Sequence, residues 1–264
     1  MTVRFQTLRE LWHYRELLGF LAWRDVKVRY KQAALGASWA IIQPLFSMII
    51  FTFLFARLAS LQNQTVIPYA LFSFSGLVAW TYFSTTLTQA GNSLVSNSNL
   101  VTKVYFPRVL LPAAAALSGM LDILVGLAFL VVLMIYYGVY PGIGILLAPL
   151  FLLMLMLLAI GVSMLLAAMN VRYRDVKYTI PFMLQLGIFV TPIIFPLSFL
   201  PERYQTWLSL NPMAGIVEGL RMSLFAPYSL DLRLLAISGA VTLTIFVVGW
   251  IYFSKTERMF ADLI

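Results

Sequence analysis

Side chains that could do catalytic chemistry are sparse in this sequence. Cysteine is absent and His13 is the only histidine, so neither a thiolate site nor a histidine-built metal site is expected. Carboxylates such as Asp122, Glu202, Glu218 and Asp231 are scattered along the chain. An integral-membrane glycosyltransferase or acyltransferase, the enzymatic alternative, needs such groups clustered at the membrane edge. We therefore expect no catalytic residue, metal or cofactor on this chain.

Asp122 is the only charged residue between Val109 and Tyr137. An ionisable side chain in the middle of an apolar run is costly, which makes it a functional-site candidate. It is equally well explained as a buried, hydrogen-bonded packing residue beside Ser118. A lone carboxylate does not make a proton relay, so an ion-coupled secondary transporter is disfavoured.

The composition indicates that lipid is the solvent for most of the chain. Of 264 residues, 61% are hydrophobic and 11% are charged, whereas soluble domains are about a quarter charged. Six apolar segments approach the length of a membrane span: 37–57, 68–91, 109–137, 143–169, 179–200 and 232–254. We predict a single all-α integral membrane domain over residues 1–264, with six transmembrane helices.

The basic residues are distributed unevenly about these six segments. Seven Lys and Arg precede the first, two lie between the second and third, three between the fourth and fifth, and two in the C-terminal tail, which is 14 of 18. Because basic residues accumulate on the cytoplasmic side, both termini are predicted to be cytoplasmic.

Residues 8–31 are predicted to form an amphipathic helix at the membrane interface. Arg24, Lys27 and Lys31 share one face, and Trp23, Val26 and Tyr30 lie on an adjacent face. Such a helix lies in the interface plane. It is either a plain anchor or a surface that also contacts a cytoplasmic partner.

Residues 97–107 connect the second and third segments on the cytoplasmic side. Asn97 or Ser98 is expected to cap a short helix that Pro107 ends. A short surface helix suits docking into a groove on a soluble protein. A plain connector explains the same residues.

Residues 199–225 form an unusual external region after the fifth segment. Four prolines break the chain there and just before it: Pro192, Pro196, Pro201 and Pro212. Short apolar helices of this kind are typical of re-entrant elements. The region is interpreted as an external gate that includes Phe199, Tyr204 and Trp207. The alternative is a long interfacial loop with an internal Glu218–Arg221 pair.

Phenylalanines recur at seven-residue spacing in two predicted spans. Phe46 and Phe53 share a face of the first, and Phe182 and Phe189 share a face of the fifth. Aromatic rings bind sugar rings through their faces, and they are also ordinary packing residues. Both interpretations stay open.

Four stretches, in this order along the chain, resemble one family: LAWRDVKVRYKQAALGASWAIIQPL (21–45), NLVTKVYFPRVLLP (99–112), MNVRYRDVKYTIPFMLQLGIFVTPIIFP (169–196) and LNPMAGIVEGLRMSLF (210–225). The family is the permease subunit of ABC transporters that export cell-surface polysaccharides, namely O-antigen, capsule and teichoic acid. A permease for drugs or lipids is the nearest alternative within the superfamily.

The resemblance implies a homodimer in the bacterial inner membrane that works with two copies of a separate ATPase. ATP and Mg would bind that partner, and this chain has no G-x-x-x-x-G-K-[ST] run. The first and fifth spans would line a conduit at the dimer interface, through which a lipid-linked polysaccharide, in the first place O-antigen, leaves for the periplasm.

The resemblance also assigns roles to particular residues. Docking to the ATPase would use Asn99, Leu100, Val101, Lys103 and Tyr105. The candidates for attracting the anionic lipid headgroup are Arg24, Lys27, Arg29 and Lys31.

Overall fold

The computed structural model describes residues 13–31, 36–58, 65–173, 175–226 and 231–260, and within these ranges every regular element is a helix. The predicted residues 8–12 of the N-terminal arm and Arg174 lie outside them. In chain order the α-helices are α1 Arg15–Tyr30, α2 Trp39–Phe51, α3 Tyr69–Ser96, α4 Ser98–Lys103, α5 Leu110–Tyr137, α6 Ala148–Arg172, α7 Val176–Val190, α8 Glu202–Leu208, α9 Pro212–Leu224 and α10 Leu232–Thr256. A π-helical segment, Thr52–Leu58, continues α2, and 3₁₀ turns at Gly36–Ser38, Ile143–Leu147, Leu197–Phe199 and Glu257–Met259 flank the longer helices.

Four helical segments in the described ranges are long and apolar enough to cross a membrane: Trp39–Ala56, Leu110–Tyr137, Ile143–Arg172 and Leu232–Met259. They coincide with the first, third, fourth and sixth predicted spans. Helix α3 has 28 residues but is rich in Ser and Thr, and α7 has only 15 residues. The all-helical membrane architecture is therefore confirmed, and six spans stay a prediction.

The prediction of one continuous helix over 179–200 is wrong. Helix α7 ends at Val190, and Thr191 is extended with φ −107° and ψ 140°. Proline disfavours the α conformation in the residue before it, so Pro192 explains this end. Residues 191–196 then form an irregular segment that leads to the Leu197–Phe199 turn.

Helix α3 is the hub of the bundle. It packs against α2, α5, α6, α7 and α9, and its side chains are buried over most of its length. Most of its Ser and Thr hydroxyls donate to carbonyls of the same helix: Ser75 donates to the Phe72 carbonyl at 2.9 Å, and Thr88 donates to the Ser84 carbonyl at 2.8 Å, whereas the buried Thr86 hydroxyl has no hydrogen-bond partner among the described residues. The hydroxyl-rich sequence is thereby compatible with a helix in an apolar environment.

Helices α6 and α10 cross where two glycines meet. A Cβ on Gly161 would lie 2.7 Å from the Phe246 Cα, and a Cβ on Gly249 would lie 2.3 Å from the Gly161 carbonyl oxygen. Small residues allow the helix backbones to approach closely, which is the usual way that membrane helices associate.

Candidate functional site

A polar cluster joins α1 to the middle of α5. The Arg29 guanidinium pairs with the Asp122 carboxylate, and the Tyr30 hydroxyl donates to the second oxygen of the same carboxylate. Arg29 also donates to Gln89 Oε1 on α3 and to Ser118 Oγ at 3.2 Å. Burial raises the pKa of Tyr30 to about 12, and Asp122 acts in the same direction. Tyr30 is therefore a protonated donor at neutral pH.

This cluster gives Asp122 the partners that the packing interpretation requires. It also engages Arg29, one of the four headgroup candidates. Among the other candidates, Arg24 forms a local pair with Asp25 at 2.8 Å. Lys27 and Lys31 have exposed side chains. The structure thus separates Arg29, which holds two helices together, from the exposed basic residues of α1.

The segment between α3 and α5 presents a mixed surface. Val101 is buried and Leu100 is half-buried, whereas Asn99 and Lys103 are exposed. Tyr105, just after α4, is 92% exposed. The helix is therefore anchored on one side and presents polar and aromatic side chains on the other.

The predicted cap of α4 is wrong in detail. Asn97 occupies the N-cap position but makes no capping bond. Its side-chain amide donates instead to the Ser93 carbonyl at 2.8 Å. The helix ends at Lys103, before the predicted stop at Pro107.

The external region divides into an exposed part and a buried part. Phe199, Tyr204 and Trp207, the three gate candidates, are 54%, 46% and 73% exposed. Helix α9, in contrast, is buried along nearly its whole length against α3, α6 and α10. Among the described residues of this region, the free surface lies mainly in the 199–210 portion, which also includes the 53% exposed Leu210.

Arg221 of α9 is the most highly connected charge in the described part of the chain. It is fully buried and pairs with Glu218 at 2.9 Å. Its guanidinium also donates to three backbone carbonyls, those of Pro192 at 2.6 Å, Phe72 at 3.0 Å and Ile193 at 3.3 Å. It stacks on the Phe72 ring, 3.6 Å from the centroid.

Room for this guanidinium comes from a glycine on α3. A Cβ on Gly76 would lie 2.7 Å from Arg221 Nη2. The i, i+3 pair with Glu218 was visible in the sequence, but the carbonyl partners were not, because they belong to segments 28 to 149 residues away.

The segment that follows α7 is fixed by two further side chains. The Tyr69 hydroxyl donates to the Ile194 carbonyl at 2.6 Å. The Asn211 amide donates to the Thr191 hydroxyl at 3.2 Å while its oxygen caps α9 at the Met213 N–H. Together with Arg221, these contacts connect residues 191–194 to α3 and α9.

The two predicted phenylalanine faces are exposed. Phe46 and Phe53 are 62% and 57% exposed on the α2 segment, and Phe182 and Phe189 are 57% and 59% exposed on α7. Both helices pack against α3. The described residues contain no group of three or more His, Cys, Asp or Glu side chains able to hold a metal.

Four helical segments long and apolar enough to cross a membrane, within the described residues, place the chain in the class of multi-pass membrane proteins. The family model described as ABC-2 type transporter matches residues 16–225, and the chain belongs to this family. The resemblance inferred from the sequence is thereby confirmed.

Individual relatives match over nearly the full length. The O-antigen export system permease protein RfbA of Myxococcus xanthus is 28% identical over 97% of this chain and 98% of its own. A Klebsiella pneumoniae protein of the same name is 28% identical over 94% and 95%. The polysialic acid transport protein KpsM of Escherichia coli is 22% identical over 89% and 92%.

Proposed function

We propose that this chain is the transmembrane permease subunit of an ATP-driven exporter. The cargo is a lipid-linked polysaccharide, in the first place O-antigen, which moves from the cytoplasmic side of the bacterial inner membrane to the periplasm. Relatives named as O-antigen export permeases match at up to 28% identity, against 22% to 24% for the polysialic acid transport relatives. The latter support capsule polysaccharide as the second candidate cargo.

The observation that carries the proposal is the exposure of aromatic rings on two helices that pack against α3. The rings of Phe46, Phe53, Phe182 and Phe189 are all more than half exposed. A second copy of the chain facing α2 and α7 would enclose these rings. They would then line a conduit whose wall stacks against sugar rings, as aromatic side chains do.

The motor is proposed to be a separate ATPase, present in two copies. Members of the ABC-2 family normally work with such a partner. The docking surface would be the exposed side of the segment around α4, with Asn99, Lys103 and Tyr105 in contact and Val101 holding the helix to the membrane domain. ATP and Mg would bind the partner.

The cytoplasmic and external ends of the conduit have different proposed roles. At the cytoplasmic end, Arg24, Lys27 and Lys31 would attract the anionic headgroup of the lipid carrier, since basic residues near a membrane surface favour anionic lipids. At the external end, residues 199–225 would form the gate. Its moving part would be the exposed 199–210 portion, because α9 is held by Arg221.

Complementation tests the proposal. A Gram-negative host that lacks its own O-antigen permease and ATPase would receive this chain with an ABC ATPase from the same source organism, and surface O-antigen would be measured. We expect restored display that depends on both proteins. The proposal is contradicted if O-antigen reaches the surface without the ATPase. It is also contradicted if O-antigen still accumulates inside the cell when both proteins are present.

A matched pair of tyrosine variants tests the docking surface. Tyr105→Ala should reduce co-purification of the ATPase and glycan export several-fold. Tyr136, at the other end of α5, is 79% exposed, so Tyr136→Ala is the control and should leave both unchanged. Equal effects of the two substitutions would contradict the proposal that Tyr105 belongs to the surface that docks the ATPase.

A further inference from the structure

An apolar cavity of about 670 Å³ lies behind α7, between that helix and a wall formed by α3, α6 and α10. Its lining includes Trp80, Phe83, Leu166 and Ile245, and its few polar groups include Thr179 and Asn211 near its two ends. Small-molecule sites commonly have volumes in this range.

Helix α7 has two different apolar faces. Ile180, Leu184 and Gly187 line the cavity. Phe182 and Phe189, the proposed conduit residues, lie on the opposite side of the helix, because the helical repeat is about 3.6 residues. The cavity is therefore a feature separate from the conduit.

Two close contacts hold α7 beside α3 and leave space between them. A Cβ on Gly187 would lie 2.7 Å from the Trp80 ring, and a Cβ on Gly91 would lie 2.6 Å from Ile180 Cδ1. Between these two contacts the cavity opens at its side. Met183 and Leu186 show this, because both line the cavity and are also 55% and 48% exposed.

The cavity has the length of a lipid tail. Residues from Val176 to Thr191 line it, and at about 1.5 Å per residue this corresponds to about 22 Å along α7. One leaflet of the hydrocarbon core is about 15 Å thick. A hydrocarbon tail therefore fits lengthwise and can enter from the side.

Basic residues stand at one end of the cavity. Arg172 ends α6 and Lys177 belongs to the first turn of α7, next to the lining residue Val176. Both are exposed, and neither forms an ion pair with a described residue. The sequence from Arg172 to Lys177 holds three basic residues and one acidic residue, Asp175.

We propose that the cavity binds one hydrocarbon tail of an anionic phospholipid, whose phosphate is held by Arg172 and Lys177. Apolar lining, lateral opening and a positive end are the features that this ligand requires. The inference goes beyond the proposed function, because it applies to a lipid of the surrounding membrane whatever cargo the protein exports. A bound hydrocarbon tail would pack against the side of α7 that lines the cavity.

Trp80 provides a probe inside the cavity. In a full-length variant that keeps Trp80, with Phe at the five other Trp positions, fluorescence would be measured in vesicles of phosphatidylglycerol or phosphatidylcholine with brominated tails. We expect bromine to quench Trp80 at least twofold more in phosphatidylglycerol. Adding Arg172→Gln and Lys177→Gln should abolish this difference, and Val162→Phe should reduce quenching in both lipids.

A second variant supplies the control. This variant keeps only Trp39, which is 52% exposed and far in sequence from the residues that line the cavity. Its fluorescence should be quenched equally by both lipids, with or without the two Gln substitutions. The proposal is overturned if Trp80 is quenched by neither lipid. It is also overturned if Trp80 is quenched equally by both before the substitutions, which would indicate an apolar crevice without headgroup recognition.

Discussion

Arg29 of α1 and Asp122 of α5 form an ion pair across 93 residues of sequence. Asp122 lies 12 residues after Leu110, the first residue of α5, so the pair is about 18 Å along that helix at 1.5 Å per residue. Leu21, near the middle of α1, belongs to the same apolar cluster as Val101 of α4. Helix α1 therefore connects the proposed docking segment to the middle of α5.

Breaking this pair from one side should destabilise the protein. Arg29 and Asp122 are 20% and 14% exposed, so an unpaired charge left at this site is partly desolvated. We expect Arg29→Gln or Asp122→Asn to cost about 1–3 kcal/mol, less than a fully buried pair. Thermal unfolding in detergent measures the change.

A double-mutant cycle separates the pair from its surroundings. Arg29→Gln with Asp122→Asn should be no less stable than either single variant, since neither charge is then unpaired. Arg24→Gln is the control, because Arg24 pairs only with its neighbour Asp25 in the described contacts and should change stability little. Strictly additive losses would show that the two side chains act independently.

Gly76→Ala should disrupt the carbonyl cluster around Arg221. The new Cβ would lie 2.7 Å from Arg221 Nη2, so the guanidinium must shift away from its carbonyl partners. Overpacking of this kind costs about 1–3 kcal/mol. Gly19→Ala is the matched control, because no atom lies within 4 Å of a Cβ there. If both variants unfold at the temperature of the parent protein, the fit between Gly76 and Arg221 is not important for stability.

The basic surface of α1 should affect export without affecting assembly. In the triple variant Arg24→Gln, Lys27→Gln and Lys31→Gln, weaker attraction for an anionic headgroup should lower glycan export several-fold. Co-purification of the ATPase should be unchanged. Leaving Arg29 intact avoids the loss of the α1–α5 pair, which would confound a variant of all four residues. Unchanged export would argue against headgroup attraction by this face.

Alanine at the exposed phenylalanines should affect transport more than folding. Phe46→Ala, Phe53→Ala, Phe182→Ala and Phe189→Ala should slow glycan export or allow ion leak, while thermal stability changes little because these rings bury little area. Phe20→Ala is the control, since Phe20 is 67% exposed on α1, away from α2 and α7. Parent-like transport in all four variants would leave only lipid-facing or packing roles for them.

The sequence was most informative where one property dominates a long segment. Hydropathy predicted the segments that became α5, α6 and α10, because apolar residues predominate through each of them. The end of α7 was harder to predict, since the apolar residues continue past Val190 although Pro192 stops the helix. A hydropathy profile records the apolar residues but not the backbone geometry.

Long-range polar contacts were the part that the sequence did not show. Asp122 stood out as a charge in an apolar run, but its partner Arg29 was assigned to the lipid surface with its basic neighbours. Glu218 and Arg221 were recognised as a local pair, yet the guanidinium also binds carbonyls of the segment after α7 and of α3. Backbone acceptors have no sequence signature, and only the folded chain brings them together.

The shortness of α7 has a consequence for the membrane around it. Fifteen residues at about 1.5 Å each give about 22 Å, whereas the hydrocarbon core is about 30 Å thick. Lipids next to a short apolar element thin locally, or water and headgroups move inward to meet its ends. The dielectric barrier beside α7 would then be several ångströms thinner than elsewhere, which lowers the cost of moving any charged group past this side of the protein.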